Sequence, residues 1–256
     1  MVSKRSLLST AFAAGLALSL VACSGDDKAG SPAPSTSASS TPPPSSTPSA
    51  TPSATPTPTP SAPAAPKART KAELTKALLA LADLPPGYAV EPDEGDDGSR
   101  LTSSDPKCKG VLTFFNAPSA PGSKVSATRV FSGGQEGPFV QETLDGMGSP
   151  QAVTSLIAAT KKAVQSCRKA KLSIPGVGSS TVAISEISAP KTGTNPLAVR
   201  FSATSGALAG FELVFAITGL SDVVLAMSMD DAGNLEATTD AVDKATKVLG
   251  TAKTGT

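Results

Sequence analysis

Histidine is absent from this sequence, and the cysteines are only three: Cys23, Cys108 and Cys167. Without an imidazole neither a Ser-His-Asp nor a Cys-His nucleophile can be assembled within the chain. Ser166-x-x-Lys169 and Ser188-x-x-Lys191 have the spacing at which a lysine one helical turn on takes a serine's proton, and Lys-Thr-Gly occurs at Lys191 and Lys253. That chemistry needs the serine to open a helix. Ser166 instead falls near a helix end, Ser188-Ala189-Pro190-Lys191 reads as a loop, and Ser221-Asp222-Val223 departs from the Ser-x-Asn element that should accompany them. The acidic stretch Glu91, Asp93, Glu94, Asp96, Asp97 offers oxygen ligands but lacks the twelve-residue calcium loop and its closing glutamate, so it reads as a solvated loop. Two sulfurs without imidazole do not fill a zinc shell. Gly176-Val177-Gly178 stops short of a dinucleotide fingerprint, and there is no phosphate loop or nucleophile elbow. No catalytic residue, metal or cofactor is expected.

Cys108 and Cys167 remain. In an oxidising compartment they are expected to pair, closing a loop of 59 residues worth about 4 kcal/mol by chain-entropy reasoning. The alternative is two buried free thiols. The formal charge of +1, from 22 basic and 21 acidic residues, gives no electrostatic ground for a nucleic-acid partner, and 4% aromatic content gives no stacking platform.

The N-terminus sets the compartment. Lys4 and Arg5 precede an apolar run from Leu7 to Leu20, too short for a comfortable membrane span, and the run ends in Leu20-Val21-Ala22-Cys23. This ending resembles the lipobox of bacterial lipoproteins, which implies a signal peptide over 1–22 and acylation of Cys23, two chains holding where one is marginal. Ordinary cleavage near Ala22 is the alternative. From Ser24 to Pro66 the chain is nearly all Ser, Thr, Pro and Ala, a composition that cannot bury a core. Residues 23–66 thus read as a lipidated cysteine plus a disordered Pro/Ser/Thr-rich linker. Residues 67–256 read as the globular extracytoplasmic domain, held at the outer face of the membrane.

Within that domain Thr70-x-x-Glu73 is a capping box, opening a helix whose Leu74, Leu78 and Leu81 share a face before Pro85-Pro86-Gly87. Ser149-Pro150 opens a second helix with Val153, Leu156, Ile157, Val164 and Cys167 on its apolar side. Lys161, Lys162, Arg168, Lys169 and Lys171 then load its C-terminal turns, complementing the dipole. A third helix runs from about Leu235 to Leu249, closed by Gly250. Between them period-two segments predict strands at Tyr88–Pro92, Val125–Phe131, Phe139–Thr143, Thr181–Ile187, Ala198–Ala203, Phe211–Ile217 and Asp222–Met227. The last two form a hairpin across Thr218-Gly219-Leu220-Ser221. The fold class is α+β: a mainly antiparallel sheet packed with about three helices. Tyr88, the one tyrosine, reads as packing at a strand start. Phe114, Phe115, Phe131, Phe139, Phe211 and Phe215 are core candidates, any of which can also line an apolar cleft.

Ala82-Asp83-Leu84-Pro85-Pro86-Gly87-Tyr88, Cys108 in the next segment, the helix reaching Cys167, and the Phe211–Met227 hairpin before the last helix follow an order that resembles actinobacterial lipoproteins of the PknH-like extracellular sensor-domain group. The resemblance spans roughly 72 to 250. It implies an α+β sensor or ligand-binding module with a cleft beside an antiparallel sheet. The kinase-linked sensor domain carries two disulfides where this chain has cysteines for one, and there is no kinase here, so signalling would need a partner. No binding residue is carried over; the ligand-binding residues are unknown at this level. The leading expectation is a non-catalytic envelope module for a small or amphipathic ligand or an envelope protein. A lipid or substrate carrier with a closed cavity, and a Ser/Lys hydrolase, are the alternatives.

Overall fold

The computed structural model describes residues 68–93, 95–134 and 137–251. Cys23, the linker, Glu94 and Lys253 lie outside the described residues. Among these, nine strands form one sheet: β1 (Ala89–Glu91), β2 (Arg100–Thr102), β3 (Val125–Ser132), β4 (Phe139–Gly146), β5 (Lys169–Ile174), β6 (Gly178–Ile187), β7 (Thr194–Ser202), β8 (Glu212–Leu220) and β9 (Val223–Met229). Their order is β1-β3-β4-β9-β8-β7-β6-β5-β2, and every neighbouring pair is antiparallel. Four α-helices accompany them: α1 (Lys71–Ala77), α2 (Lys109–Phe115), α3 (Pro150–Ser166) and α4 (Ala237–Leu249). The α+β antiparallel class is as the sequence predicts, with α2 the additional helix.

The helix starts form as their sequences dictate. Thr70 Oγ1 accepts from the Glu73 amide at 3.2 Å, and Glu73 reaches back to the Thr70 amide at 2.7 Å, so two orphan donors are satisfied. Ser149 caps α3 by accepting from Ala152, and Pro150 takes the first position, where no amide is missed. In α3, Val153, Ile157, Thr160 and Val164 recur at helical spacing and are buried. Gly250 ends α4 in the left-handed region at φ 66°, which costs a glycine nothing.

Side chains alternate between the faces of a strand, and paired residues on neighbouring strands share a face. Val214, Ala216 and Leu220 of β8 therefore join one core with α1, α4 and Phe131, Leu144, Leu225 and Met227. On the other face of the same strand, Ile217 joins α2, α3 and Val182, Ile184, Leu197 and Phe201. The helices thus cover diagonally opposite halves of the two faces. Half of each face is left without a helix.

Three predictions are corrected. The first helix stops at Ala77 because Leu78 turns extended, which carries Leu81 into a short 3-10 turn with 45% of its surface exposed. Arg168, Lys169 and Lys171 do not complement a helix dipole: α3 ends at Ser166, Cys167 is its cap, and Lys169–Ile174 is a strand whose alternate residues Ala170 and Leu172 are buried. The hairpin turn is tighter than the one predicted. β8 continues to Leu220, which pairs with Val223, so the two residues Ser221 and Asp222 make the turn, with Ser221 at φ 58°.

Candidate functional site

The half-face beside α2 is the one where sequence-predicted aromatics converge. Cys108 and Cys167 form a disulfide with their Cα atoms 4.7 Å apart, tying the start of α2 to the end of α3. At its other end, Asn116 accepts from the Leu101 amide and donates to the Leu101 carbonyl, both at 2.8 Å, so its carboxamide acts as a strand partner for β2. The following loop is pinned to β4 where the Ala120 amide donates to Asp145 Oδ2 at 3.0 Å. Held at three points, α2 lays Phe115 edge-on against Phe201 and Phe215, each with ring centroids 4.8 Å away, and Phe114 completes the group at 5.0 Å from Phe115. This is the favourable quadrupole geometry.

Phe115 and Phe215 remain half-buried, and beyond them the covering stops. Following the register outward from Phe215, the same face carries Ser228, then Gln141, Val130 and Glu91. The adjacent row runs from Ile217 through Ala226 and Thr143 to Thr128, with the two threonine hydroxyls 3.1 Å apart. An apolar step of ring edges therefore borders a floor of hydroxyl, carboxamide and small apolar groups. Such a surface can take a ligand with an apolar part against the rings and polar groups along the strands. Asp145 lies at one end of the floor, 2% exposed, its Oδ1 buried and without a partner among the described residues.

On the opposite side of β4, Glu142 is wholly buried beneath α1 and α4. Its Oε2 accepts from the Leu79 amide at 2.6 Å, while Oε1 has no partner among the described residues. Burial pushes this carboxyl up to about 7, against the opposing pull of the Leu79 amide, Lys244 and Arg129. Arg129, its cross-strand neighbour, donates to the Leu79 carbonyl, so the two side chains grip one residue from both ends. Lys244 bonds Asp83 and holds that carboxyl below the usual range.

The remaining predicted residues are dispersed. Ser166 donates to the Lys162 carbonyl at the end of α3, and Lys169 stands on β5. Ser188 lines an open depression of about 670 Å³ with Glu186, Ile187, Ala189, Pro196 and Leu197. Asp222 is occupied by Arg69, with Nη2 to Oδ1 at 2.9 Å. In the acidic loop, Asp93, Asp96 and Asp97 accept from amides two residues on, and Asp96 also pairs with Arg100, holding the Asp96 carboxyl down to about 2. Glu91 instead accepts from Ser132. Among the described residues no three metal-ligating side chains gather, and no helix is long and apolar enough to cross a membrane. A second open depression, of about 400 Å³, is lined by Ser103, Asp105, Pro106, Lys109, Leu112 and Thr113. Both depressions lie away from the Phe-and-hydroxyl face, which is a surface rather than a pit. Phe131 is core, as 0% exposure requires, and Phe139 is exposed on the outward side of β4. Sequence reading missed the floor residues Ser228, Gln141, Thr143 and Thr128, and it missed Phe201 and Glu142. The last two stood in strand patterns at inward positions, the one signal available for them.

No known protein family matches this sequence, and no curated protein does. Among solved structures the fold is similar to the crystal structure of the extracellular domain of PknH from Mycobacterium tuberculosis. The TM-score is 0.52 at 12% identity, covering 72% of this chain and 98% of that one. The likeness is one of fold.

Proposed function

We propose that this chain is an envelope lipoprotein whose domain binds an amphipathic ligand, without catalysis, along the open sheet face beside α2. The observation that carries the reading is the border between the half-buried Phe115–Phe215 rings and the uncovered Ser228, Gln141 and Thr128, with the buried Thr143 holding the Thr128 hydroxyl from beneath. Backbone on three anchors positions the rings without closing them over, and half-exposed aromatic surface beside donors and acceptors is the usual make-up of a binding face. The fold likeness to an extracellular domain supports an extracytoplasmic setting. The Leu-Val-Ala-Cys23 ending supports an acyl anchor, and the 24–66 composition supports a flexible tether between anchor and domain.

Two experiments test the two halves. Growth with a fatty-acid analogue should label the wild-type chain and not Cys23→Ala, which should leave the membrane fraction; equal labelling would remove the anchor. Ser228→Trp places a bulky ring on the proposed floor. Fractions of amphipathic envelope extract should raise the melting temperature of wild type by roughly 5–10 °C at a hundredfold excess over Kd and leave Ser228→Trp unmoved. An equal shift in both would place binding elsewhere.

A further inference from the structure

Charge in this chain is balanced overall but segregated in space. No carboxylate occurs between Asp105 and Glu136, nor between Asp145 and Glu186, whereas Lys107, Lys109, Lys161, Lys162, Arg168, Lys169 and Lys171 fall in those stretches. The Cys108–Cys167 disulfide joins the two stretches, bringing Lys107 and Lys109 beside Arg168, Lys169 and Lys171 at the β2–β5 edge of the sheet. All five of these cations are exposed, and none has an ion pair among the described residues. Of the nearby carboxylates, Glu186 is engaged with Lys161, Glu212 with Arg200 and Asp96 with Arg100, and Asp105 accepts from the Lys107 amide, leaving one acidic group at this edge against five cations.

Lys169 and Lys171 point to the half-face that α1 and α4 leave uncovered, opposite Ala183 and Thr181. The row beyond Ala183 is Ser202, and Arg200 lies opposite Ser185 on the same face. Small neutral side chains around the lysines leave the ammonium groups free to approach a flat surface. This face is separate from the Phe-and-hydroxyl floor, on the other side of the sheet.

We propose that this cationic edge and face docks on the headgroups of an anionic phospholipid bilayer. Charge complementarity motivates an anionic occupant. The choice of a bilayer rests on the anchor proposed above: the Pro-rich stretch of 44 residues from Cys23 to Pro66 would hold the domain within about 140 Å of the membrane even fully extended at about 3.1 Å per residue. At that effective concentration weak contacts count. Each basic residue near an anionic surface contributes roughly a fivefold gain in partition, screened within about 10 Å at 0.1 M salt.

The test uses the full chain carrying Cys23→Ala, so that no acyl group contributes. Partition is measured onto vesicles of phosphatidylcholine alone and of phosphatidylcholine with about 30% phosphatidylglycerol, an anionic content that produces a negative surface potential. Parent and variants share Lys4, Arg5 and the Leu7–Leu20 run, so the comparison between chains cancels whatever that segment adds to the preference. The parent should prefer the anionic vesicle and lose that preference at high salt. Lys169→Gln/Lys171→Gln, and separately Lys107→Gln/Lys109→Gln, should each cut the preference by about 25-fold with an unchanged melting temperature, since all four lysines are exposed. Equal partition onto both vesicles, or variants indistinguishable from the parent, overturns the proposal; so does capture by soluble polyphosphate without vesicle binding. Vesicle binding without acyl labelling of Cys23 would remove the anchor and leave the cationic face, and the converse result would do the reverse.

Discussion

Glu142→Gln isolates one buried carboxyl and its effect on stability. In the folded chain burial keeps this group protonated up to about 7, against an ordinary value of 4.5. The folded state therefore binds more protons than the unfolded one between those values, and stability falls as pH rises through the interval. The contribution is fully present below 4.5 and lost above about 7. At about 1.4 kcal/mol per tenfold, holding the proton across that interval is worth about 3 kcal/mol. Glutamine preserves the carbonyl that accepts from Leu79 and puts an amide where Oε1 stands, but it does not titrate. Asp83 and Glu186, held below the usual carboxylate range by hydrogen bonds from Lys244 and Lys161, act in the opposite sense. Both are present in the two proteins: Glu186 cancels in the difference, and the charge of Asp83 is one of the contributions that raise Glu142 and so belongs to what the difference reads. Urea unfolding of wild type and Glu142→Gln from pH 4.5 to 8 should show the variant gaining about 3 kcal/mol relative to wild type across the series. A difference that stays flat, or that moves against the variant, would refute the assignment of the buried proton to Glu142.

Other outcomes follow from particular contacts. Cys108→Ser/Cys167→Ser should lower the unfolding free energy by about 4 kcal/mol for a closed loop of 59 residues, a urea midpoint roughly 2 M lower. Arg69 chelates Asp222 through Nε and Nη2 and donates Nη1 to the Leu249 carbonyl at 3.0 Å, with Asp222 only 7% exposed. Arg69→Ala should therefore cost about 2 kcal/mol, discounted from a fully buried pair because the arginine is partly in solvent. Arg69→Lys should recover only part of that in chemical unfolding, since an ammonium cannot reproduce the fork.

The parts of the fold that were legible in the sequence are those where local physics decides alone. The Thr70–Glu73 box, Ser149-Pro150 and Gly250 each carry their own chemistry and stand where their residues put them, and the last hairpin forms as read with its turn moved to Ser221-Asp222. What stayed hidden depends on tertiary partners. β2 has three residues and exists through pairing with β5. β5 begins only three residues after α3 ends, so its cations read as a helix terminus although Ala170 and Leu172 alternate inward. α2 is seven residues with Gly110 near its start, too weak a former to announce itself, and its place comes from the disulfide and Asn116. The candidate site was half legible. Phe114, Phe115 and Phe215 carried an aromatic signal, but the register that sets Ser228, Gln141, Thr143 and Thr128 beside them is a property of the assembled sheet.

The most direct test of a ligand-binding domain is mass spectrometry of the chain purified from its own envelope, native against denatured, in wild type and Ser228→Trp. A bound ligand gives a native excess mass on wild type that vanishes on denaturation and is missing from Ser228→Trp. Bare-chain mass for both proteins, or the same excess on both, would contradict binding on this face.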